Sequence, residues 1–257
     1  MSLQALAGEL RRARRVLVIT GAGMSADSGL PTYRGVGGLY DRGPTADGLP
    51  IEEVLSGATM RRRPELCWRY LFEIEQACRG RLPNRGHQVL AALAPRYERF
   101  AVLTQNVDGF HRQAGSRDLI EIHGCLHRLH CTVCGYEAEV ADYGALSIPP
   151  ACPYCAGLVR PRVVLFGEAL PESEIERLHR LMEEGVDLVI SIGTSSVFPY
   201  IAEPVIAAAG RGLPTAEINP GHSEVSHLVR YRIRAGAAAA LQELQDLLDA
   251  GLPGTLP

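Results

Sequence analysis

Four cysteines constrain this chain more tightly than any other feature. They form two Cys-x-x-Cys pairs, Cys131/Cys134 and Cys152/Cys155, with seventeen residues between the pairs. Two knuckles at this separation can bring four thiolates to the corners of a tetrahedron around Zn2+, and Gly135, Pro150, Pro153 and Gly157 supply the tight turns. Two disulfides are disfavoured in a reducing cytosol, and one redox pair would leave the other unexplained. Four thiolates fill the coordination sphere, so the zinc expected here is structural, one per chain, with no open position for water. His127 and His130 lie nearby but are unnecessary as ligands. Cys67, Cys78 and Cys125 read as small core residues.

On either side of the knuckles the chain keeps an α/β rhythm. Strands are expected at Val16–Ile19, Phe100–Leu103, Leu119–Ile122, Val163–Phe166, Leu188–Ile192, Thr215–Ile218 and Leu228–Ile233. Helical patterns fall at Leu3–Arg14, Asn84–Ala94, Pro171–Glu184, Pro199–Ala209 and Ala237–Ala250. This alternation predicts an α/β fold with a doubly wound, Rossmann-like parallel sheet. Residues 45–82 break it with consecutive helical patterns, and residues 126–157 break it again with the knuckles. We expect these two insertions, one helical and one a zinc ribbon, to form a smaller module. Residues 1–44, 83–125 and 158–257 would then make the large domain.

Composition excludes several functions. With 257 residues, 46% of them hydrophobic, the chain can bury a sizeable core. A net charge of −3 argues against direct nucleic-acid binding, although all 26 basic residues are arginine. No apolar run approaches the ~20 residues of a membrane span. Apolar Leu3 to Leu10 precede Arg11, Arg12, Arg14 and Arg15, the reverse order of a signal peptide. The expectation is a cytoplasmic protein without membrane attachment.

The first strand runs into Thr20-Gly21-Ala22-Gly23, where glycines would let backbone approach a pyrophosphate. Yet the G-x-G-x-x-G fingerprint fails, because the next glycine is Gly29, and the acidic residue expected about twenty positions later is absent. An ordinary dehydrogenase is therefore disfavoured.

The whole run from Gly21 to Gly35, GAGMSADSGLPTYRG, resembles the cofactor loop of the sirtuins, NAD-dependent protein deacylases. Further matches follow in the family's order: Thr104-Gln105-Asn106-Val107-Asp108-Gly109, Ile122-His123-Gly124 and the cysteine pairs. After them come Val163 to Glu168, Gly193-Thr194-Ser195-Ser196, Glu217-Ile218-Asn219 and Gly236-Ala237. The resemblance covers nearly the whole chain, and it is to the bacterial type.

It implies NAD as co-substrate, acylated protein lysines as partners, and nicotinamide, O-acyl-ADP-ribose and free lysine as products. Cleavage of the bond to nicotinamide makes an oxocarbenium-like centre that the acyl oxygen captures. A base must then activate a ribose hydroxyl, a task that suits imidazole. By resemblance that base is His123, at a strand's C-terminal end, with Asn106 as its catalytic companion. Asp108 would hold the nicotinamide carboxamide, while Gln105 and Asn106 contact the nicotinamide ribose. Gly21, Ala22, Gly23 and Ser25, with Thr32, Tyr33 and Arg34 of the same loop, would bind cofactor. So would Gly193, Thr194 and Ser195 at phosphate and adenosine ribose, Asn219 at that ribose, and Ala237 near adenine. Many sirtuins have Asp-Phe where this chain has Thr32-Tyr33.

A strand edge can pair with an extended peptide. The resemblance places substrate around Val164, Phe166, Gly167 and Glu168. The branch that removes acidic acyl groups carries Tyr-x-x-Arg in the helical insertion. Counting from Trp68 and from Pro83-Asn84 places those positions at Leu71 and Ile74, both apolar. A carboxylate buried there would lack a partner, so neutral acyl groups are expected. Two rival readings are a protein ADP-ribosyltransferase on the same scaffold and a non-enzymatic NAD-binding zinc protein.

Overall fold

The computed structural model describes residues 3–32 and 44–250. Helix α1 (Leu3–Arg12) leads into β1 (Arg15–Thr20), which ends at a short helix, α2 (Ala22–Ser25). The first interruption carries α3 (Ile51–Val54), α4 (Gly57–Arg62) and α5 (Pro64–Cys78), followed by α6 (Arg85–Leu93) and β2 (Arg99–Thr104). Next come α7 (Phe110–Gln113), β3 (Leu119–Glu121), β4 (Gly124–Cys131), β5 (Glu137–Glu139) and β6 (Val159–Val163). The chain closes with α8 (Glu172–Glu184), β7 (Leu188–Ile192), α9 (Pro199–Gly210), β8 (Thr215–Ile218), β9 (Tyr231–Ile233) and α10 (Ala237–Ala250).

Six strands form one sheet in the order β3-β2-β1-β7-β8-β9, with every pair parallel. The period of two along β1 distributes its side chains to both faces. Val16 and Val18 join a core with Leu6, Leu10, Leu90, Leu93, Leu241 and Leu244 from α1, α6 and α10. Leu17 and Ile19 join a second core with Leu178, Leu181, Ile201 and Val205 from α8 and α9. Helices on both faces leave the central strands buried, which is why they read as unbroken apolar runs. The direction of winding reverses between β1 and β7, and in such sheets the crevice at the carboxyl ends of the strands at this point takes ligands.

The second sheet is small and antiparallel, in the order β5-β4-β6. Its core also takes in the helical insertion. Trp68 of α5 packs edge-on to Tyr143 with ring centroids 5.3 Å apart, and its indole N–H donates to the Val159 carbonyl at 3.0 Å. Leu66, Tyr70 and Leu71 share that core with Leu126, Leu129 and Leu165.

Two expected strands need correction. The segment expected as a strand over Val163–Phe166 instead ends its ladder at Val163, in the small sheet. Arg160 explains the bend: its guanidinium binds Glu168 and the Val163 carbonyl, while the Leu165 amide donates to the Glu168 carboxylate. The chain is thereby folded back beyond Leu165. The last strand is Tyr231–Ile233 rather than Leu228–Ile233, because the Leu228 amide turns back to the Val225 carbonyl.

Candidate active site

The loops after β1, β2, β3 and β7 meet at one edge of the large sheet. The Gly23 amide donates to the Gly193 carbonyl at 2.8 Å. A Cβ on Gly193 would lie 2.5 Å from the Gly23 carbonyl carbon and the Met24 nitrogen, and φ at Gly193 is +58°. Only glycine lets these two loops come so close at the switch point. Thr194 is held beside them. Its hydroxyl accepts from Gln105 at 2.8 Å and from the Ser196 amide at 3.1 Å, and its carbonyl accepts from the Asn219 amide side chain at 2.9 Å. Gln105, Thr194 and Asn219 are thus one network. Ser195 accepts the Glu224 amide through its carbonyl. Ala237 starts α10 with its methyl in the core, and the Ala238 amide donates to Asp27 at 2.9 Å.

The loop after β2 supplies a second buried network. Asn106 donates to the Gly21 carbonyl at 3.0 Å and to the Ser25 hydroxyl at 3.1 Å; Ser25 in turn donates to Asp108 at 2.7 Å. Asp108 also accepts the Phe110 amide at 2.9 Å. Its burial raises the carboxyl pKa above the ordinary range, and the two donors partly offset this. These groups line a cleft whose other walls include Ala22, Leu30, Pro31, Ile74 and Cys78. Burial pushes the Cys78 thiol up to about 12, so it stays protonated and unreactive. Thr32 lies at the end of the first described segment, while Tyr33 and Arg34 fall outside the described residues.

His123 lies two residues beyond the end of β3. Gly124 behind it adopts φ +80°, and a Cβ there would strike the Arg162 carbonyl oxygen at 1.8 Å. That close approach fastens the histidine to the start of the small sheet. The His123 carbonyl accepts the Val164 amide at 3.0 Å. On the ring, Nδ1 lies 3.1 Å from the Gln105 carbonyl and Nε2 lies 2.7 Å from the Tyr200 hydroxyl. A carbonyl only accepts, so Nδ1 carries the proton and Nε2 presents its lone pair. Burial lowers the imidazole pKa below its usual value, against the opposing effect of the Gln105 bond. The side chain is therefore neutral near pH 7.

Substrate-side residues are placed less simply. The Phe166 amide donates to the Leu55 carbonyl and its carbonyl accepts the Gly57 amide, so its backbone is already paired on one side. Gly167 is exposed and Glu168 is engaged with Arg160. Leu71 is 2% exposed and faces the core of the small module, whereas Ile74 lines the cleft shared with Asn106 and Asp108. Tyr200 and the Cys78 wall were not among the sequence-derived candidates. Phe198-Pro199-Tyr200 reads only as a helix start, and nothing local marks the tyrosine as facing His123.

The sulfur atoms of Cys131, Cys134, Cys152 and Cys155 all lie within 4.8 Å of one another, with contacts of 3.5 Å between Cys131 and Cys155 and 3.6 Å between Cys134 and Cys152. These separations are too long for disulfides and suit four ligands at about 2.3 Å from one Zn2+. The Val133 and Cys134 amides donate to Cys131 Sγ, as a knuckle requires. The cluster is consistent with structural zinc.

A model of the Sir2 family matches residues 21–199. The chain belongs to that family. This Sir2 protein is 51% identical to NAD-dependent protein deacylase 2 of Pseudomonas aeruginosa, over 90% of this chain and 91% of the relative. Identity is again 51% to NAD-dependent protein deacylase 2 of Pseudomonas syringae pv. tomato, over 93% and 97%. Among solved structures, a Sir2 homologue in complex with NAD superposes with a TM-score of 0.84 at 34% identity, covering 96% of this chain and 94% of the other. A Sir2 protein with a p53 peptide and NAD+ gives 0.83 at 27% identity, covering 98% and 100%. No helix among the described residues is long and apolar enough to cross a membrane.

Proposed function

We propose that this Sir2 protein is an NAD-dependent protein-lysine deacylase in which His123 is the base, and that it prefers neutral acyl groups. The observation that carries the catalytic assignment is the His123 ring itself: its Nδ1 proton is fixed on the Gln105 carbonyl, which leaves Nε2, accepting from the Tyr200 hydroxyl, as the ring position that can take a proton. Bound NAD supplies an electrophilic ribose carbon on loss of nicotinamide, and the hydroxyl that finally receives the acyl group.

The residues present fit that co-substrate. The hydroxyl of Ser196, in the loop after β7, is buried and unpartnered, and the residue is held at φ +53°. A buried hydroxyl left without a partner is costly, and a ribose or phosphate oxygen would satisfy it. Gly21, Ala22, Gly23, Gly193, Thr194 and Ser195 surround the diphosphate side, with Asn219 and Ala237 toward the adenosine end and Thr32, Tyr33 and Arg34 of the cofactor motif as further contacts. Gln105 and Asn106 orient the nicotinamide ribose, and Asp108, steadied by Ser25, faces the carboxamide. Val164, Gly167 and Glu168 border the path of the acyl-lysine peptide, with the Phe166 ring beside it. Ile74 with Leu30 and Pro31 gives the cleft an apolar wall. A closed four-cysteine zinc site suits a reducing cytoplasm.

Mass spectrometry of a reaction with acetyl-lysine peptide and NAD tests the reaction class. O-acetyl-ADP-ribose and free lysine, formed only with NAD, are the expected products. ADP-ribosylated protein without deacylated peptide would point to transferase chemistry instead.

A further inference from the structure

We propose that Tyr200 is a positioning residue that covers the reactive nitrogen of His123 in the free enzyme and yields it to the ribose hydroxyl when NAD binds. This inference rests on His123 being the base. With Nδ1 committed to the Gln105 carbonyl, Nε2 is the one ring position able to take a proton. The phenol of Tyr200 already donates to it at 2.7 Å. An imidazole nitrogen has a single lone pair, so the Tyr200 hydroxyl and a sugar hydroxyl cannot both donate to it.

The setting suits a placeholder. Tyr200 lies in the first turn of α9, half-buried, so its ring can swing without unpicking the helix. It stacks on Phe198 with centroids 5.5 Å apart and 12° between planes, and both rings stand edge-on to His123 at 5.9 and 5.7 Å. The imidazole meets the Gln105 carbonyl beyond β2 and the Tyr200 and Phe198 rings from the α9 side. None is ionised near neutral pH. Burial pushes the Tyr200 phenol up to about 12, so it remains a donor over the working range. The proton taken in the reaction passes from the ribose hydroxyl to Nε2. Tyr200 keeps its own proton throughout and exchanges only a hydrogen bond.

A donor on Nε2 stabilises the neutral imidazole, so removing it should raise the pKa of His123 in the free enzyme alone. For Tyr200→Phe, NMR titration of the His123 imidazole without NAD should move upward by up to about one pH unit. The acid limb of kcat/KM should follow it, because that limb reports the free enzyme. The acid limb of kcat, read on saturated enzyme, should stay in place, and NAD should bind about 5-fold more tightly, since one ordinary hydrogen bond need no longer be broken.

An unmoved titration and an unmoved kcat/KM limb would overturn the proposal. So would a kcat lower by ~10²-fold or more, the loss expected if Tyr200 relays the proton. Should Tyr200→Phe not fold, the unmodified protein gives the same decision. Saturation with NAD should shift the Tyr200 ring signals as the phenol leaves His123, and unchanged signals would end the idea. An active His123→Ala variant would instead remove the base assignment, whatever Tyr200 does.

Discussion

The six-stranded sheet and the small module are packed from cores of different make-up. Around the sheet, apolar side chains on two faces interlock along strands that are buried over nearly their full length, so cohesion is spread over many residues. The small module gathers pieces distant in sequence around Trp68 and Tyr143, with the thiolate knuckles at its far end. Both interiors hold charge: Glu75, fully buried, is bound to Arg79 in the small module, and Glu217, equally buried, to Arg232 at the sheet. A core of many apolar contacts loses a fraction of its cohesion with any one of them, whereas a four-cysteine cluster that loses one thiolate loses a ligand its metal requires. The cleft lies where the two kinds of construction meet, and its chemistry comes from the sheet side.

The largest effect should follow from breaking the metal end. Zinc sites in finger peptides contribute ~10–16 kcal/mol to folding. Cys131→Ser should therefore lower zinc content and melt the small module, read as loss of bound zinc and of Trp68 fluorescence protection. Folded, active protein without zinc would contradict this. The sheet-side counterpart is His123→Ala, which should leave the fold and NAD binding largely intact while reducing deacylation by ~10²- to 10⁴-fold, as removal of a general base does. Near-normal turnover on a good acyl-peptide would place the base elsewhere.

The smallest effect probes the small-module wall. An acetyl or butyryl group loses apolar surface against Ile74 and its neighbours, at ~25 cal/mol per Å². A succinyl carboxylate would be desolvated there with no cation among the described cleft residues to receive it. We expect kcat/KM for acetyl- or butyryl-lysine peptide to exceed that for succinyl-lysine by at least ~10-fold, about 1.4 kcal/mol. Ile74→Arg should narrow the gap by offering a charge-assisted pair. The neighbouring Leu71 is a poorer place for such a change, since a tyrosine there would overfill a packed core. Equal efficiency on both peptides in the unmodified protein would show that another arginine reaches the acyl end.

Much of this was legible in the sequence because it is written in local patterns. The apolar runs around Val18 and Ile190 mark central parallel strands, and two pairs of cysteines mark a knuckle site whatever surrounds them. The motif order placed the cofactor and catalytic candidates in loops that the fold brings to one edge. What escaped was set by contacts between distant residues. Val163–Phe166 is as apolar as a central strand, but Arg160 and Glu168 bend it and hand Val163 to the other sheet. Leu71 and Ile74 are one helical turn apart, and only the packing of α5 decides that one is core and the other cleft. Tyr200 belongs to the same class, since its partner lies 77 residues away.

The link between the Trp68 indole and the Val159 carbonyl spans 91 residues. A chain leaving the ribosome in order makes the helical insertion long before β6 exists to cover it. Its aromatic and aliphatic face must wait, exposed, until the second knuckle has been synthesised. The sheet waits longer still, because β1 acquires its central neighbour β7 only when Leu188–Ile192 has emerged. Contacts this far apart in sequence form slowly and leave apolar edges open meanwhile. Assembly of the small module, with its metal, should therefore come first during synthesis and give the unfinished sheet a folded neighbour.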